Sequence, residues 1–203
     1  MAKLLFKYAT MNSGKTIDLL RTAYNYEENN GNILVLKPKV DTKGKDKITS
    51  RVGLERKVDY IVCYDDSLLE LLKGNLKDID AILVDEAQFF SKTQIEELSI
   101  ISKVMHIDVI CYGLRINFRG ELFEGSKKLF EVADALDELV TLCECRNVAR
   151  FVGRKVNGVY KMNGPEVIID GSDDTVEYVP LCKECYLQKV KGISFKEIKD
   201  KLK

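Results

Sequence analysis

The sequence has few of the features that are typical of nucleic-acid binding, membrane insertion or catalysis by histidine. Lys plus Arg and Asp plus Glu both number 32, so the formal net charge is zero. Dedicated nucleic-acid binders usually carry a basic excess, although net charge hides local clusters. No apolar run approaches the roughly 20 residues that cross a membrane, and the apolar start is too short for a signal segment. The single histidine, His106, is expected to be structural. We therefore expect neither a nucleic-acid partner nor a membrane segment.

Short continuous apolar runs dominate the first two thirds of the chain. Such runs are typical of strands buried on both faces of a parallel sheet; they lie at residues 4–8, 33–36, 61–64, 81–84 and 109–112. Between them, Ser67 with Glu70 and Ser91 with Gln94 have the spacing of a capping box, which predicts helix starts. Alternating strands and helices indicate βαβ units. We therefore predict an α/β domain over residues 1–141.

The remaining residues show few helix signals and contain four of the six cysteines. Asn157-Gly158, between β-prone flanks, predicts a hairpin turn. Two close cysteine pairs in a chain without a secretory signal indicate metal ligands before disulfides, and a reducing cytoplasm. The predicted ligands of a structural zinc ion are Cys143, Cys145, Cys182 and Cys185. Reduced thiols without metal, or one pair with an outside ligand, remain alternatives. We predict a small zinc-ribbon-like domain at 142–191 and a charged tail at 192–203.

A phosphate-binding loop is predicted between the first strand and the first helix. A strand, a Gly-Lys-Thr loop and a helix form the P-loop context, in which backbone amides and the helix N-terminus bind phosphate. Lys15 would reach the β- and γ-phosphates and Thr16 would bind Mg²⁺. Ala9 stands where the general pattern has glycine, so the chain must turn there at an ordinary φ or under strain. The alternative is that Gly-Lys-Thr occurs between a strand and a helix by chance and binds no phosphate. The predicted ATP-binding residues of this loop are Ala9, Thr10, Met11, Asn12, Ser13, Gly14, Lys15 and Thr16.

Two carboxylates follow the apolar run at 81–84. Asp85 and Glu86 would lie at the carboxyl end of a strand, where nucleotide sites form in parallel sheets. Asp85 would bind Mg²⁺ and the triphosphate, and Glu86 would accept a hydroxyl proton as general base. The alternative is that they only cap the turn that follows.

Four motifs together carry a family resemblance, at residues 11–16, 85–89, 111–114 and 117–121, and the paired cysteines follow them. The chain resembles thymidine kinases of the cellular, zinc-containing type, near their bacterial members. The resemblance implies a RecA-like P-loop sheet flanked by helices, with a zinc domain that carries a lid, or lasso, loop. It implies transfer of the γ-phosphate of ATP, bound with Mg²⁺, to the 5′-hydroxyl of thymidine. Deoxyuridine would be a second acceptor. A cytoplasmic homotetramer inhibited by thymidine triphosphate is the further expectation.

The resemblance also implies roles for individual residues. Phe118 would stack on the base, Tyr178 would face the sugar, Arg119 would lie near phosphates, and Asp41 matches an acidic position without a clear role. The thymidine-binding residues so implied are Met11, Leu114, Phe118, Phe123, Val167, Ile168, Ile169, Asp170, Gly171 and Tyr178. Backbone groups of the predicted lid at 162–178 would recognise the base. The chain departs from the family where Asp170 replaces a glycine, where Leu122 replaces a proline, and in the one-residue spacing of Cys143 and Cys145.

Three other functions fit parts of the sequence. Asp85-Glu86-Ala87-Gln88 resembles a helicase box, which suggests a P-loop ATPase acting on nucleic acid, but the chain is too short for two ATPase lobes. A zinc-ribbon adaptor with a vestigial nucleotide site is disfavoured by the intact Lys15, Thr16, Asp85 and Glu86. A kinase for another nucleoside, such as deoxyuridine or deoxycytidine, is the nearest alternative.

Overall fold

The computed structural model describes residues 2–42, 44–164 and 175–203. Within them the chain divides into two units. The sheet unit comprises Met1–Ala9, Gly14–Arg115 and Leu122–Leu139, and the cysteine unit comprises Thr10–Ser13, Ile116–Glu121 and Val140–Lys203.

Eight strands belong to the sheet unit: β1 (Leu4–Ala9), β2 (Ile33–Pro38), β3 (Lys47–Thr49), β4 (Glu55–Lys57), β5 (Tyr60–Val62), β6 (Ala81–Val84), β7 (Asp108–Leu114) and β8 (Ala135–Glu138). Six of them form a parallel sheet in the order β5-β2-β6-β7-β1-β8, while β3 and β4 pair as a separate antiparallel hairpin. All five apolar runs are therefore strands of one parallel sheet, and the α/β prediction is confirmed.

The middle strand β6 shows why continuous apolar runs form this sheet. All four of its side chains are fully buried. Ile82 and Val84 pack into one hydrophobic cluster, and Ala81 and Leu83 pack into a second one. Alternate residues of a strand point to opposite faces, so each face of the sheet has its own core.

Four helices complete the sheet unit: α1 (Lys15–Glu28), α2 (Leu68–Leu71), α3 (Lys92–Met105) and α4 (Glu124–Val132). Ser91 and Gln94 form the predicted capping box at the start of α3. At α2 the prediction holds only in part. The Ser67 hydroxyl accepts from the Glu70 amide, but the carboxylate that accepts from the start of α2 belongs to Glu97 of α3. Residues distant in sequence supply this cap, which the local spacing could not indicate.

The cysteine unit is built from short strands and turns. Its described elements are β9 (Thr141–Leu142), β10 (Val148–Ala149), β11 (Phe151–Val156), β12 (Val159–Tyr160), β13 (Val176–Leu181), α5 (Lys183–Cys185), a π-helical turn (Tyr186–Val190) and α6 (Phe195–Lys201). β9 pairs with β10, and β11 lies between β12 and β13. Asn157 and Gly158 both have positive φ, 50° and 79°, as a tight hairpin turn requires. In the described ranges we find no helix with the length and apolar character needed to cross a bilayer.

Candidate active site

The phosphate loop keeps ordinary backbone at Ala9 and turns further along. Ala9 is the last residue of β1, and α1 begins at Lys15. Positive φ values occur at Asn12 (63°) and Gly14 (81°), which are residue types that tolerate left-handed backbone. The Ser13 hydroxyl donates to the Thr10 carbonyl over 3.0 Å. The loop therefore needs no glycine at position 9, because the turn is made at positions 12 and 14.

The two charged residues predicted to bind the triphosphate, Lys15 and Asp85, meet the predicted base Glu86 at the carboxyl edge of the sheet. Lys15 and Asp85 are buried, with 8% and 5% of their surfaces exposed. Burial lowers the pKa of the Lys15 ammonium, and the charges of Glu86 and Asp85 oppose that shift. Burial, together with the charges of Glu86 and Asp41, raises the pKa of the Asp85 carboxyl well above its usual range. A buried carboxyl such as Asp85, whose charged form is destabilised, is chemically suited to a bound cation.

Glu86 occupies a strained position directly after this edge. β6 ends at Val84, the Asp85 amide donates to the Leu36 carbonyl over 3.0 Å, and Glu86 follows with a φ of +46°. A non-glycine residue in left-handed backbone costs about 1 kcal/mol or more, and such residues concentrate at functional sites. A short 3₁₀ turn, Ala87–Phe89, then leads away from the sheet.

Gln88 holds the Glu86 carboxylate in place, a role that we did not predict. Its Nε2 donates to Glu86 Oε2 over 2.6 Å, and its Oε1 accepts from the Leu114 amide over 2.9 Å. Because the backbone amide can only donate, it fixes which end of the Gln88 amide faces Glu86. Gln88 is 2% exposed. In the sequence, the only signal for this role was an amide residue shortly after the apolar run at 81–84.

Asp41 has a buried cationic partner. Lys37, on β2, is 1% exposed, and its Nζ lies 3.0 Å from Asp41 Oδ2 and 3.3 Å from the Lys47 carbonyl oxygen. The Asp41 charge also acts on Asp85. Asp41 is therefore part of the acidic group at this edge, and Lys37 is the residue that compensates it.

The predicted pocket residues of the sheet unit lie near the same edge. Leu114 ends β7, and its carbonyl accepts from the Ser126 hydroxyl over 2.5 Å. Phe123 is buried at the start of α4 and makes an edge-to-face contact with Phe89, with ring centroids 5.7 Å apart. Phe89 is a second residue that the sequence did not single out for the pocket.

In the cysteine unit, Phe118 is buried against two arginines. It is 2% exposed, and the guanidinium carbons of Arg154 and Arg119 lie 4.1 Å and 5.0 Å from its ring centroid. The Tyr186 hydroxyl donates to the Phe118 carbonyl over 2.9 Å. Tyr178, on β13, lies opposite Arg154 on β11.

The four predicted metal ligands converge in the cysteine unit. All four Sγ atoms lie within 4.8 Å of one another, and Cys145 and Cys182 are 3.5 Å apart at sulfur. Tetrahedral zinc with bonds of about 2.3 Å places thiolates about 3.8 Å apart. Arg146, in left-handed backbone, reverses the chain directly after Cys145, which lets a one-residue spacing serve one ion. Four sulfur donors in this arrangement fit a structural zinc ion.

Comparison with known proteins decides the family. The family model described as thymidine kinase matches residues 2–186. The chain belongs to the thymidine kinase family. A relative named thymidine kinase from Pasteurella multocida is 41% identical over 193 residues, covering 94% of this chain and 99% of that protein. One from Haemophilus influenzae is 41% identical, covering 93% and 98%, and one from Rhodopirellula baltica is 41% identical over 188 residues, covering 90% and 87%.

Among solved structures, the Pif1 helicase from Candida albicans aligns with a TM-score of 0.42 and 12% identity, covering 68% of this chain and 36% of that chain. A likeness this weak bears on neither fold nor function. The family match, in contrast, confirms the resemblance drawn from the motifs. It favours the enzyme prediction over the nucleic-acid ATPase and the zinc-ribbon adaptor.

As a thymidine kinase family member, the chain brings its predicted site residues together in two groups. Lys15, Asp85 and Glu86 meet in the sheet unit, and Phe118 and Tyr178 are linked through Arg154 in the cysteine unit. Thr16 and Met11 are half-buried, in α1 and in the phosphate loop. Five predicted lid residues lie outside the described residues: Val167, Ile168, Ile169, Asp170 and Gly171.

Proposed function

We propose that the chain transfers the γ-phosphate of ATP to the 5′-hydroxyl of thymidine, which yields dTMP and ADP, and that deoxyuridine is a second acceptor. The observation that supports this most strongly is the group formed by the buried Lys15 and Asp85 with the half-buried Glu86 in a thymidine kinase family member. A lysine beside two carboxylates at the carboxyl edge of a P-loop sheet is the arrangement that phosphoryl transfer requires.

Each residue of this group has one proposed task. Glu86 accepts the proton of the 5′-hydroxyl as that oxygen bonds to the γ-phosphorus, while the bond from phosphorus to the bridging oxygen of ADP breaks. Lys15 and the loop residues 9–16 neutralise and orient the triphosphate. Thr16 and Asp85 are the residues that would hold Mg²⁺, which when bound neutralises charge on the phosphate oxygens. The raised pKa of Asp85 supports this, since a nearby cation relieves the cost of that buried charge.

The nucleoside site is proposed on the remaining predicted residues. Apolar contacts would come from Met11, Leu114, Phe118 and Phe123, with Tyr178 towards the sugar. The backbone of residues 167–171 stays the predicted reader of the base. A purely main-chain reader suits thymine, which offers one N–H donor and two carbonyl acceptors.

Further properties follow the family expectation. We propose a structural zinc ion on the four cysteines, a cytoplasmic location, which keeps these thiols reduced, feedback inhibition by thymidine triphosphate, and a homotetramer. The division into domains at 1–141 and 142–191, with a tail at 192–203, is retained as a proposal.

Transfer of labelled γ-phosphate from ATP to thymidine, deoxyuridine and deoxycytidine tests the function. We expect thymidine to be phosphorylated by the natural chain and Glu86→Gln to lower kcat by about 1,000-fold, within the range for a general base. Glu70→Gln is a matched control, because that carboxylate is 75% exposed on α2. Absence of thymidine phosphorylation would contradict the proposed function, and near-normal activity of Glu86→Gln would contradict only the proposed base.

A further inference from the structure

Arg154 is a buried cation that none of the proposed catalytic roles uses. It lies on β11 and is 2% exposed. Arginine is almost never fully buried unless other groups compensate its charge. Its surroundings therefore indicate what the residue does for the fold or the site.

The first contact is with Phe118. The guanidinium carbon lies 4.1 Å from the centroid of the ring, which is the distance of a guanidinium placed over an aromatic face. Arg119 approaches the same ring at 5.0 Å. A ring held by a planar cation on its face cannot flip or tilt freely, so Arg154 fixes the plane of Phe118.

The second contact is with Tyr178. Arg154 and Tyr178 are paired residues of β11 and β13, and their side chains are hydrogen-bonded to each other. A guanidinium has donors and no acceptor, so the Tyr178 oxygen must accept this bond. The hydroxyl proton of Tyr178 is thereby directed away from Arg154 and can be donated to another acceptor.

The third contact is with the backbone at Gly164. This residue has a φ of +120°, and a Cβ built there would lie 2.6 Å from Arg154 Nη2. The Gly164 carbonyl accepts from Arg119 Nη2 over 2.5 Å. The side chain of Arg154 thus packs directly on the main chain at a position that only glycine suits.

We propose that Arg154 is a positioning residue of the nucleoside site, which fixes the ring plane of Phe118 and the hydroxyl of Tyr178. This inference rests on the proposed function, in which both of those residues contact thymidine. Arg154 itself acts through them rather than on the reacting atoms. It should therefore affect the binding of thymidine and leave the binding of ATP unchanged.

Arginine is needed here because the side chain must provide both a flat cation for the ring of Phe118 and a hydrogen-bond donor for Tyr178. A lysine keeps the charge but has no flat face to lie on a ring, and a methionine keeps the length but neither the charge nor the donors. We expect Arg154→Met to raise the KM for thymidine about tenfold, which corresponds to about 1.4 kcal/mol. Arg154→Lys should raise it by less, about threefold, because a cation over the ring is retained.

The test measures the KM for thymidine, the KM for ATP and kcat in the full-length protein. Lys155→Met is the matched control: it removes a cation from the next residue of β11, whose Nζ lies 3.8 Å from Glu177. The inference requires that the KM for thymidine rises in Arg154→Met while the control, the KM for ATP and kcat change by less than about twofold. A thymidine KM like that of the natural chain, or an equal rise for both substrates, would overturn it.

A double substitution tests the linkage to Tyr178. Tyr178→Phe removes only the hydroxyl, and we expect its effect on the thymidine KM to be much smaller in the Arg154→Met background than alone. Independent effects that simply multiply would contradict the linkage. Should Arg154→Met fail to fold, as judged by thermal unfolding and zinc content, Arg154→Lys combined with Tyr178→Phe decides the same question. If the natural chain does not phosphorylate thymidine, the proposed function is contradicted. If it does, and the Arg154 variants keep the same KM for thymidine, only this inference is contradicted.

Discussion

The two units of this chain obtain their stability in different ways. In the sheet unit, apolar side chains fill two clusters, one on each face of a six-stranded sheet. Among the described residues of the cysteine unit, the buried cluster has six members, and three of them are cysteines proposed to bind zinc. Apolar burial contributes roughly 25 cal/mol per Å², so a core this small supplies little on its own. We therefore expect the sheet unit to be stabilised by its core and the cysteine unit by the proposed zinc ion.

Removing the proposed zinc ion should unfold the cysteine unit alone, and we expect this to be the largest effect. A structural zinc site contributes on the order of 10 kcal/mol to the folding of a small domain. Cys182→Ser should abolish zinc binding and the protection of β11 and β13 amides from hydrogen exchange, while β6 amides stay protected. Cys111→Ser, a cysteine on β7 away from the four ligands, should retain zinc. Equal loss of protection in both units would contradict the comparison.

Among the buried charged residues described in the sheet unit, Lys37 is the least exposed. Lys37→Met leaves Asp41 without its 3.0 Å partner, and breaking one side of a buried ion pair is expensive. We expect the free energy of unfolding to fall by about 3 kcal/mol, measured by urea denaturation. Lys47→Met, which removes an exposed pair with Glu55, should cause little measurable change. If both variants lost a similar free energy of unfolding, burial would not determine how much each ion pair contributes to stability.

Gln88 tests whether the sheet unit also positions its base. Gln88→Leu keeps the volume but removes the donor to Glu86 and the acceptor for the Leu114 amide. We expect kcat to fall about 30-fold, because an unrestrained carboxylate spends less time in the reactive geometry. The KM for ATP should change little. An unchanged kcat would mean that the backbone at Glu86 is sufficient to orient it.

Helix caps should give the smallest effects and should differ according to what each helix packs against. Ser91→Ala removes the cap of α3, several of whose side chains are buried, and should lower the free energy of unfolding by about 1 kcal/mol. Ser194→Ala removes the equivalent cap of α6, which has no buried residue. We expect no change in global stability from Ser194→Ala. A clear loss there would show that α6 contributes to the fold more than its exposure suggests.

The sequence predicted the sheet well because burial on both faces leaves a plain pattern. The strand β8 (Ala135–Glu138) was missed because it lacks that pattern. It pairs with β1 at the edge of the sheet, and two of its four residues are acidic. Glu97, Gln88 and Arg154 were missed because their roles depend on partners 29, 26 and 24 positions away. The phosphate loop and the acidic pair were found because their residues are adjacent in sequence. Contacts across the fold have no such local signature.

The backbone at Glu86 carries a consequence for how this chain would respond to selection. Its φ of +46° is a conformation that glycine adopts without strain, so Glu86→Gly should relieve local strain while removing the proposed base. In a library screened for heat resistance alone, the position would therefore drift towards glycine, and in one screened for thymidine phosphorylation it would stay glutamate. Activity and heat resistance make opposite demands on this residue.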